Sequence, residues 1–190
     1  MTMNFFILLL VIDLGLLATD VVLLNELKIM CENDQRARFA AIDSDAEAAE
    51  VGWQMVEAID RENLPRLKGI VEQFGWPGSQ LVGEEGADHM WLLVQHCDQD
   101  IDFQKLCLES LRVAVGKGDA PKKHLAYLTD RVLVNMGEAQ LYGTQMQIID
   151  GCPIPQPIEQ PDNLDSRREE MGLGTFEAYL ALFKEIYHLK

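Results

Sequence analysis

Positive charge is scarce in this chain. Its 190 residues carry 16 lysines and arginines against 31 aspartates and glutamates, a net charge of -15, and such a field repels phosphate backbones and anionic membrane surfaces. Nucleic acid is therefore not an expected partner. Cysteine is scarce too. Cys31, Cys97, Cys107 and Cys152 are scattered, without a CxxC pair or the density that staples small secreted domains. Free thiols in a reducing compartment are the expectation. The sequence also lacks a nucleophile elbow, a P-loop, a dinucleotide fingerprint, a kinase signature and an HExxH pair, so no cofactor is implied.

One long apolar run is present, from Phe5 to Ile12, continued by Gly15, Leu16, Leu17 and Ala18. No Lys or Arg precedes it, Asp13 interrupts it and no A-x-A site follows, so the three-part signal pattern is incomplete. A membrane crossing needs roughly 20 apolar residues, and Asp13 and Asp20 would fall inside one. The chain therefore divides into an apolar segment, 1–19, and one domain, 20–190. The first is a packed element or a degenerate export signal. A cytoplasmic location is expected, with export or tethering through residues 1–18 as the alternative.

In a chain that is 48% hydrophobic over its full length, the remainder reads as a mainly α single-domain helical bundle of about six or seven helices with a small β-hairpin near 139–154. Leu23, Leu24, Leu27 and Met30 recur at helical spacing from Asp20 to about Phe39, with Glu26, Lys28, Glu32 and Asp34 between them. A second helix is predicted from Asp45 to Asp60. A third runs from Leu64, with Asn63 as its N-cap and Pro65 in its first turn, to Phe74 before Gly75. Glu84 to His96 is apolar on nearly every side and belongs in the middle of the bundle. Helices over Asp100–Val115 and Pro121–Met136 follow, each closed by glycine. Asp150-Gly151 between apolar runs is a hairpin signal. Pro153, Pro155, Pro157 and Pro161 force an extended stretch. Asp165–Met171 makes a short helix, and a last one capped by Thr175 docks Phe176, Tyr179, Leu180, Phe183 and Tyr187 on the core.

Several spaced motifs occur together: Trp76-Pro77, Trp91 to His96, Phe103-Gln104, Ala126 to Arg131, Gln140 and Tyr142-Gly143-Thr144-Gln145. In this the chain, from about Leu27 to Leu173, resembles a family of bacterial domains of unknown function marked by a Gln-His motif and a Tyr-Gly-Thr-Gln motif. The resemblance implies no particular activity, substrate or cofactor. It singles out positions.

Those positions carry the candidate chemistry. His96 ends an apolar helix beside Gln95 and two residues before Asp98, and imidazole is the side chain suited to proton transfer near neutral pH. It is a candidate general acid or base, or else a helix cap. Asp130 and Arg131 are adjacent charges in an apolar helix and must find partners: a buried ion pair, or an Arg131 that with Arg167 or Arg168 clamps an anion. Glu85, His89 and His96 share one helical face, but nothing nearby completes a metal set, and no metal is expected. The leading expectation is a polar pocket in which Gln95, His96, Gln104, Asp130, Arg131, Gln140, Tyr142, Thr144, Gln145 and Arg167 meet a small anionic ligand. His96 and Asp130 would be its catalytic pair, with Asp130 orienting His96 or Arg131, in hydrolysis or a related acid–base reaction. The rival is a non-catalytic interaction module whose acidic faces meet a basic protein partner.

Overall fold

Side-chain caps start most of the long helices. In the computed structural model, which describes residues 19–189, Asp20 accepts from Leu23 N and opens α1 (Val21–Ile42), and Asp45 accepts from Ala48 N and opens α2 (Ala46–Phe74). Asp100 caps α4 (Ile101–Gly116) and Thr175 caps α7 (Phe176–Ile186) in the same way. Each satisfies one of the N–H groups a helix start leaves unpaired. Between them lie α3 (Ser79–Gln95), α5 (Lys122–Asn135), an antiparallel ribbon of β1 (Met146–Ile149) and β2 (Cys152–Pro155), a 3₁₀ turn (Pro161–Asn163) and α6 (Leu164–Glu170). The protein is mainly α, with the ribbon turning at Asp150-Gly151 as its sequence signals. The apolar run 5–18 lies outside the described residues. Among the described residues, no helix is long and apolar enough to cross a membrane.

Two expectations are corrected. The separate helices over Asp45–Asp60 and Leu64–Phe74 are one 29-residue helix with Pro65 inside it. Pro65 lies on the exposed side, where water can take the carbonyl it leaves unpaired. Leu67, Ile70 and Val71 meanwhile hold the next turn in the core, so packing carries the helix through the proline. The last helix does not dock into the core, since α7 has no fully buried residue. Its aromatic stripe lines a cleft instead.

The core is built from α1 (Leu23, Leu27, Cys31), α2 (Leu67, Ile70), α3 (Met90, Leu93, Val94), α4 (Cys107, Leu111) and α5 (Leu128, Val132). Helix α1 returns into α2 at close range. A Cβ added to Gly52 would lie 2.8 Å from Ala41 Cβ and 2.9 Å from Ala41 Cα. A Gly-to-Ala change in an open helix gains about 1 kcal/mol. Here Gly52→Ala is expected to destabilise, because the helices must be pushed apart at a cost of about 1–3 kcal/mol. The sign of the change in urea midpoint decides between the two.

Helix α3 contains Gly83 at φ 72°, ψ 173°, a kink between a first turn at 79–82 and the apolar helix that ends in Gln95 and His96. That second part carries the site.

Candidate functional site

His96 sits where α3 stops. It is the C-cap of that helix, with its N–H on Leu93 O, and the turn that follows places Cys97 and Asp98 before Asp100 opens α4. The last carbonyls of a helix lack intrahelical donors, and those of Val94 and Gln95 are met by Gln104 Nε2 at 3.2 and 3.3 Å. The same amide nitrogen reaches Asp98, and Gln104 Oε1 accepts from Asn135. Gln104 is therefore a buried brace behind the turn rather than a lining residue.

The imidazole is oriented by a residue that the sequence pattern places on the polar side of α1. Asp34 is 1% exposed, and both its oxygens lie 3.0 Å from His96 Nδ1. A neutral ring held this way carries its proton on Nδ1 and its lone pair on Nε2. No partner for Nε2 is found among the described residues. Arg38 donates to Asp34 at 3.0 Å and forks onto Asp60 at 2.6 and 2.8 Å. Burial alone would raise the Asp34 carboxyl, but the hydrogen bonds and charges of His96 and Arg38 outweigh it and bring it down to about 2. Asp60 is pushed up, because burial outweighs Arg38 there. Donor atoms of Asp34, Asp60 and His96 lie within 4.8 Å of one another, close enough to share a cation, yet Arg38 already supplies positive charge at that spot.

Asp130, expected to orient His96 or Arg131, does other work. Fully buried, it accepts from Leu141 N (2.8 Å), Tyr142 N (3.0 Å), Thr144 N and Thr144 Oγ1 (both 2.9 Å), and burial still raises its pKa. It folds the Tyr-Gly-Thr-Gln loop around itself. Gly143 turns there at φ 67° with the Phe176 ring 3.0 Å from where a Cβ would stand, so the motif needs glycine for both conformation and space. Gln140 acts as a second internal scaffold, bonded through its amide to Gln145 N, Gln145 O and Gln156 O. Tyr142 contributes its backbone, with its carbonyl accepting from Arg168 Nη1. Arg167 donates to the carbonyls of Leu141, Glu159 and Gln160. Arg168, 2% exposed, lies 5.1 Å from the Tyr179 ring and donates to Gly174 O. Neither arginine joins Arg131.

Of the ten expected site residues, Gln95, His96, Arg131, Thr144 and Gln145 line one cleft of about 410 Å³. Gln104, Asp130, Gln140, Tyr142 and Arg167 do not line it. They hold the segments that do. Arg131 donates Nε and Nη2 to Asp98 at 2.9 and 2.6 Å and Nη1 to Gln145 Oε1 at 3.0 Å. Asp98 is kept ionised below the usual carboxylate range because Arg131, Asn135 and Gln104 together outweigh its burial. Gln95 can turn its amide so that the oxygen accepts from Leu128 N at 3.0 Å.

The other walls are mostly aromatic, with Trp53 of α2, Trp91 of α3, Tyr127 of α5, and Tyr179, Phe183 and Tyr187 of α7 or its cap, and are completed by Leu92, Met146 and Ile148. Tyr179 is anchored by its hydroxyl, which donates to Thr144 O at 2.7 Å. Sequence reading assigned these rings to core positions or passed over them, because helical periodicity does not distinguish a stripe facing a core from one facing a cleft. Asp34 carried no signal at all, since nothing local connects it to a histidine 62 residues away.

Behind Trp91 lies a second Asp–His pair. His124 stacks on the Trp91 ring at 4.4 Å, and its Nε2 lies 3.1 Å from Asp88. Burial pushes His124 down to about 4. Asp88 pulls the other way, but it is 55% exposed and water weakens its hold. A base whose folded pKa is lowered takes its proton first in the unfolded chain, so stability is lost as pH falls from about 6.5 to about 4. His124→Phe, which keeps a ring against Trp91, is expected to flatten the fall in urea midpoint between pH 7 and pH 5. An unchanged slope would assign that fall to other groups.

These observations define a mainly α protein with an Asp-oriented histidine among the residues lining a largely aromatic cleft. Family comparison agrees with the helical bundle's extent: a model described as "Family of unknown function (DUF6624)" matches residues 21–190. The chain belongs to that family. No curated protein and no solved structure matches it.

Proposed function

We propose that the cleft binds a small anionic ligand and that His96 acts on it, or on a water beside it, as a general acid–base, in hydrolysis or a related proton-transfer reaction. The observation that carries this reading is the Asp34–His96 pair. A buried carboxylate fixes one imidazole nitrogen and leaves the other free of protein partners among the described residues, on a ring that lines both this cleft and a neighbouring acidic one, and a free, oriented nitrogen is what acid–base catalysis requires. The cationic side chain lining the cleft is Arg131, whose charge is partly offset by its pair with Asp98. Three of the five guanidinium N–H groups are used on Asp98 and Gln145, which leaves two for an anion. In a chain with 31 acidic residues, no carboxylate among the described residues lines this cleft, whereas Asp or Glu lines each of the other four described.

The reading is tested by titrating the ¹³C-labelled His96 ring with acetate, inorganic phosphate and their aryl esters, and by following release of the aryl group. Ligand-dependent shifts of the His96 signals, and turnover that disappears in His96→Gln, are expected. Full turnover in His96→Gln would overturn it. The alternative, an interaction module for a basic partner protein, draws on the chain's net charge of -15. It calls for binding that His96→Gln leaves intact. Four free thiols, three of them buried, support a reducing, cytoplasmic setting.

A further inference from the structure

The walls of the same cleft bear on the rest of the ligand, and this step rests on the anion reading above. We infer that the ligand is a planar aromatic ring carrying one anionic group, an aryl carboxylate or an aryl phosphate.

Aromatic rings are concentrated here beyond what the composition requires. The chain has 3 tryptophans and 4 tyrosines. Trp53, Trp91, Tyr127, Tyr179 and Tyr187 line this one cleft, with Phe183 beside them. Five of the rings form a continuous series from Trp91 through Tyr127, Tyr179 and Phe183 to Tyr187, with neighbouring centroids 4.4 to 6.3 Å apart. Trp53 stands outside the series on α2 and is 43% exposed. Its indole is the large ring at the cleft left to water, and a flat ligand face would cover it.

The polar inventory favours an anion over the other common occupant of aromatic clefts, a sugar. Hydroxyl-rich ligands need acceptors as well as donors, usually carboxylates, and no carboxylate among the described residues lines the cleft. Thr144 Oγ1 is already bonded to Asp130 and to Gln145 Nε2, and Gln145 Oε1 to Arg131. What remains is donor capacity on Arg131, the Gln95 amide, a His96 ring nitrogen and the phenols of Tyr127 and Tyr187, with no charged acceptor among the described lining residues, which suits one negative group. A volume of about 410 Å³ is at the small end of ligand pockets and fits a single ring with its substituent.

The test is isothermal titration of the full chain with benzoate, phenyl phosphate, cyclohexanecarboxylate, benzamide, acetate and inorganic phosphate, using wild type, Trp53→Leu and Arg131→Gln. Benzoate or phenyl phosphate is expected to bind about 10-fold more tightly than cyclohexanecarboxylate, the range that ring–ring contact adds beyond area. Trp53→Leu should erase that preference and Arg131→Gln should weaken every anion while sparing benzamide. Whichever of the two aryl anions binds more tightly identifies the anionic group. Equal affinity for benzoate and cyclohexanecarboxylate, or a ring preference that survives Trp53→Leu, overturns the inference. If acetate and phosphate then still bind through Arg131, the anion reading stands alone. If benzamide matches benzoate, or no anion binds, both fall together.

Discussion

Asp130→Ala is expected to be the most damaging single substitution among the residues described, costing about 3–5 kcal/mol. The carboxylate is fully buried and takes four donors: the backbone N–H groups of Leu141, Tyr142 and Thr144, and the Thr144 hydroxyl. Alanine strands all four away from water. Relief of a buried charge works in the opposite direction, since burial already raises the Asp130 pKa. It is the smaller effect, because an unmade hydrogen bond costs its donor's desolvation each time. Asp130→Asn should also destabilise, because its amide NH₂ must face N–H donors. Urea unfolding with an unchanged m-value would register the loss as stability. A drop below about 1 kcal/mol would mean that the Tyr-Gly-Thr-Gln loop reaches water when Asp130 is removed.

His96→Gln is the second. If the cleft catalyses proton transfer through Nε2, turnover should fall about 10²- to 10⁴-fold. The glutamine amide can still donate to Asp34, so the urea midpoint should stay close to that of wild type. Asp34→Asn should lower turnover comparably by releasing the ring's tautomer. It should also change acid stability in a calculable direction. The Asp34 carboxyl is lowered from 3.8 to about 2, and a depressed acid stabilises the fold above its ordinary value and loses that contribution as pH falls through about 2. The difference corresponds to about 2 kcal/mol, so wild type and Asp34→Asn should converge below pH 2 and separate above pH 4. Glutamine at position 96 with undiminished turnover, or no convergence in acid, would remove the pair from the mechanism.

How much of this was legible beforehand differs by residue. Asp100 and Thr175 begin helices in the structure where their side chains allow it, because a cap is a contact three residues long. Asn63 and Pro65 make an equally good local start signal, yet α2 runs through them, since Leu67 and Ile70 are buried against the core and a proline on the exposed side is tolerated. Asp34 looks like one more polar residue on an amphipathic helix until α3 sets His96 against it. Tyr179, Phe183 and Tyr187 look like core residues until α7 is found with no buried position.

By itself the sequence determined whatever depends on neighbours within a turn or two: the acidic charge, the helical class, the Thr175 cap and the Asp-Gly hairpin. Tertiary structure alone decided the partners of the polar side chains. It gave His96 the carboxylate of Asp34 rather than Asp130, turned Asp130 and Gln140 inward as loop scaffolds, and set the rings of four helices around one cleft. The physical reason is that hydrogen bonds and ring contacts act over a few ångströms of space, whereas the pattern along a chain records only which face of its own helix a residue occupies.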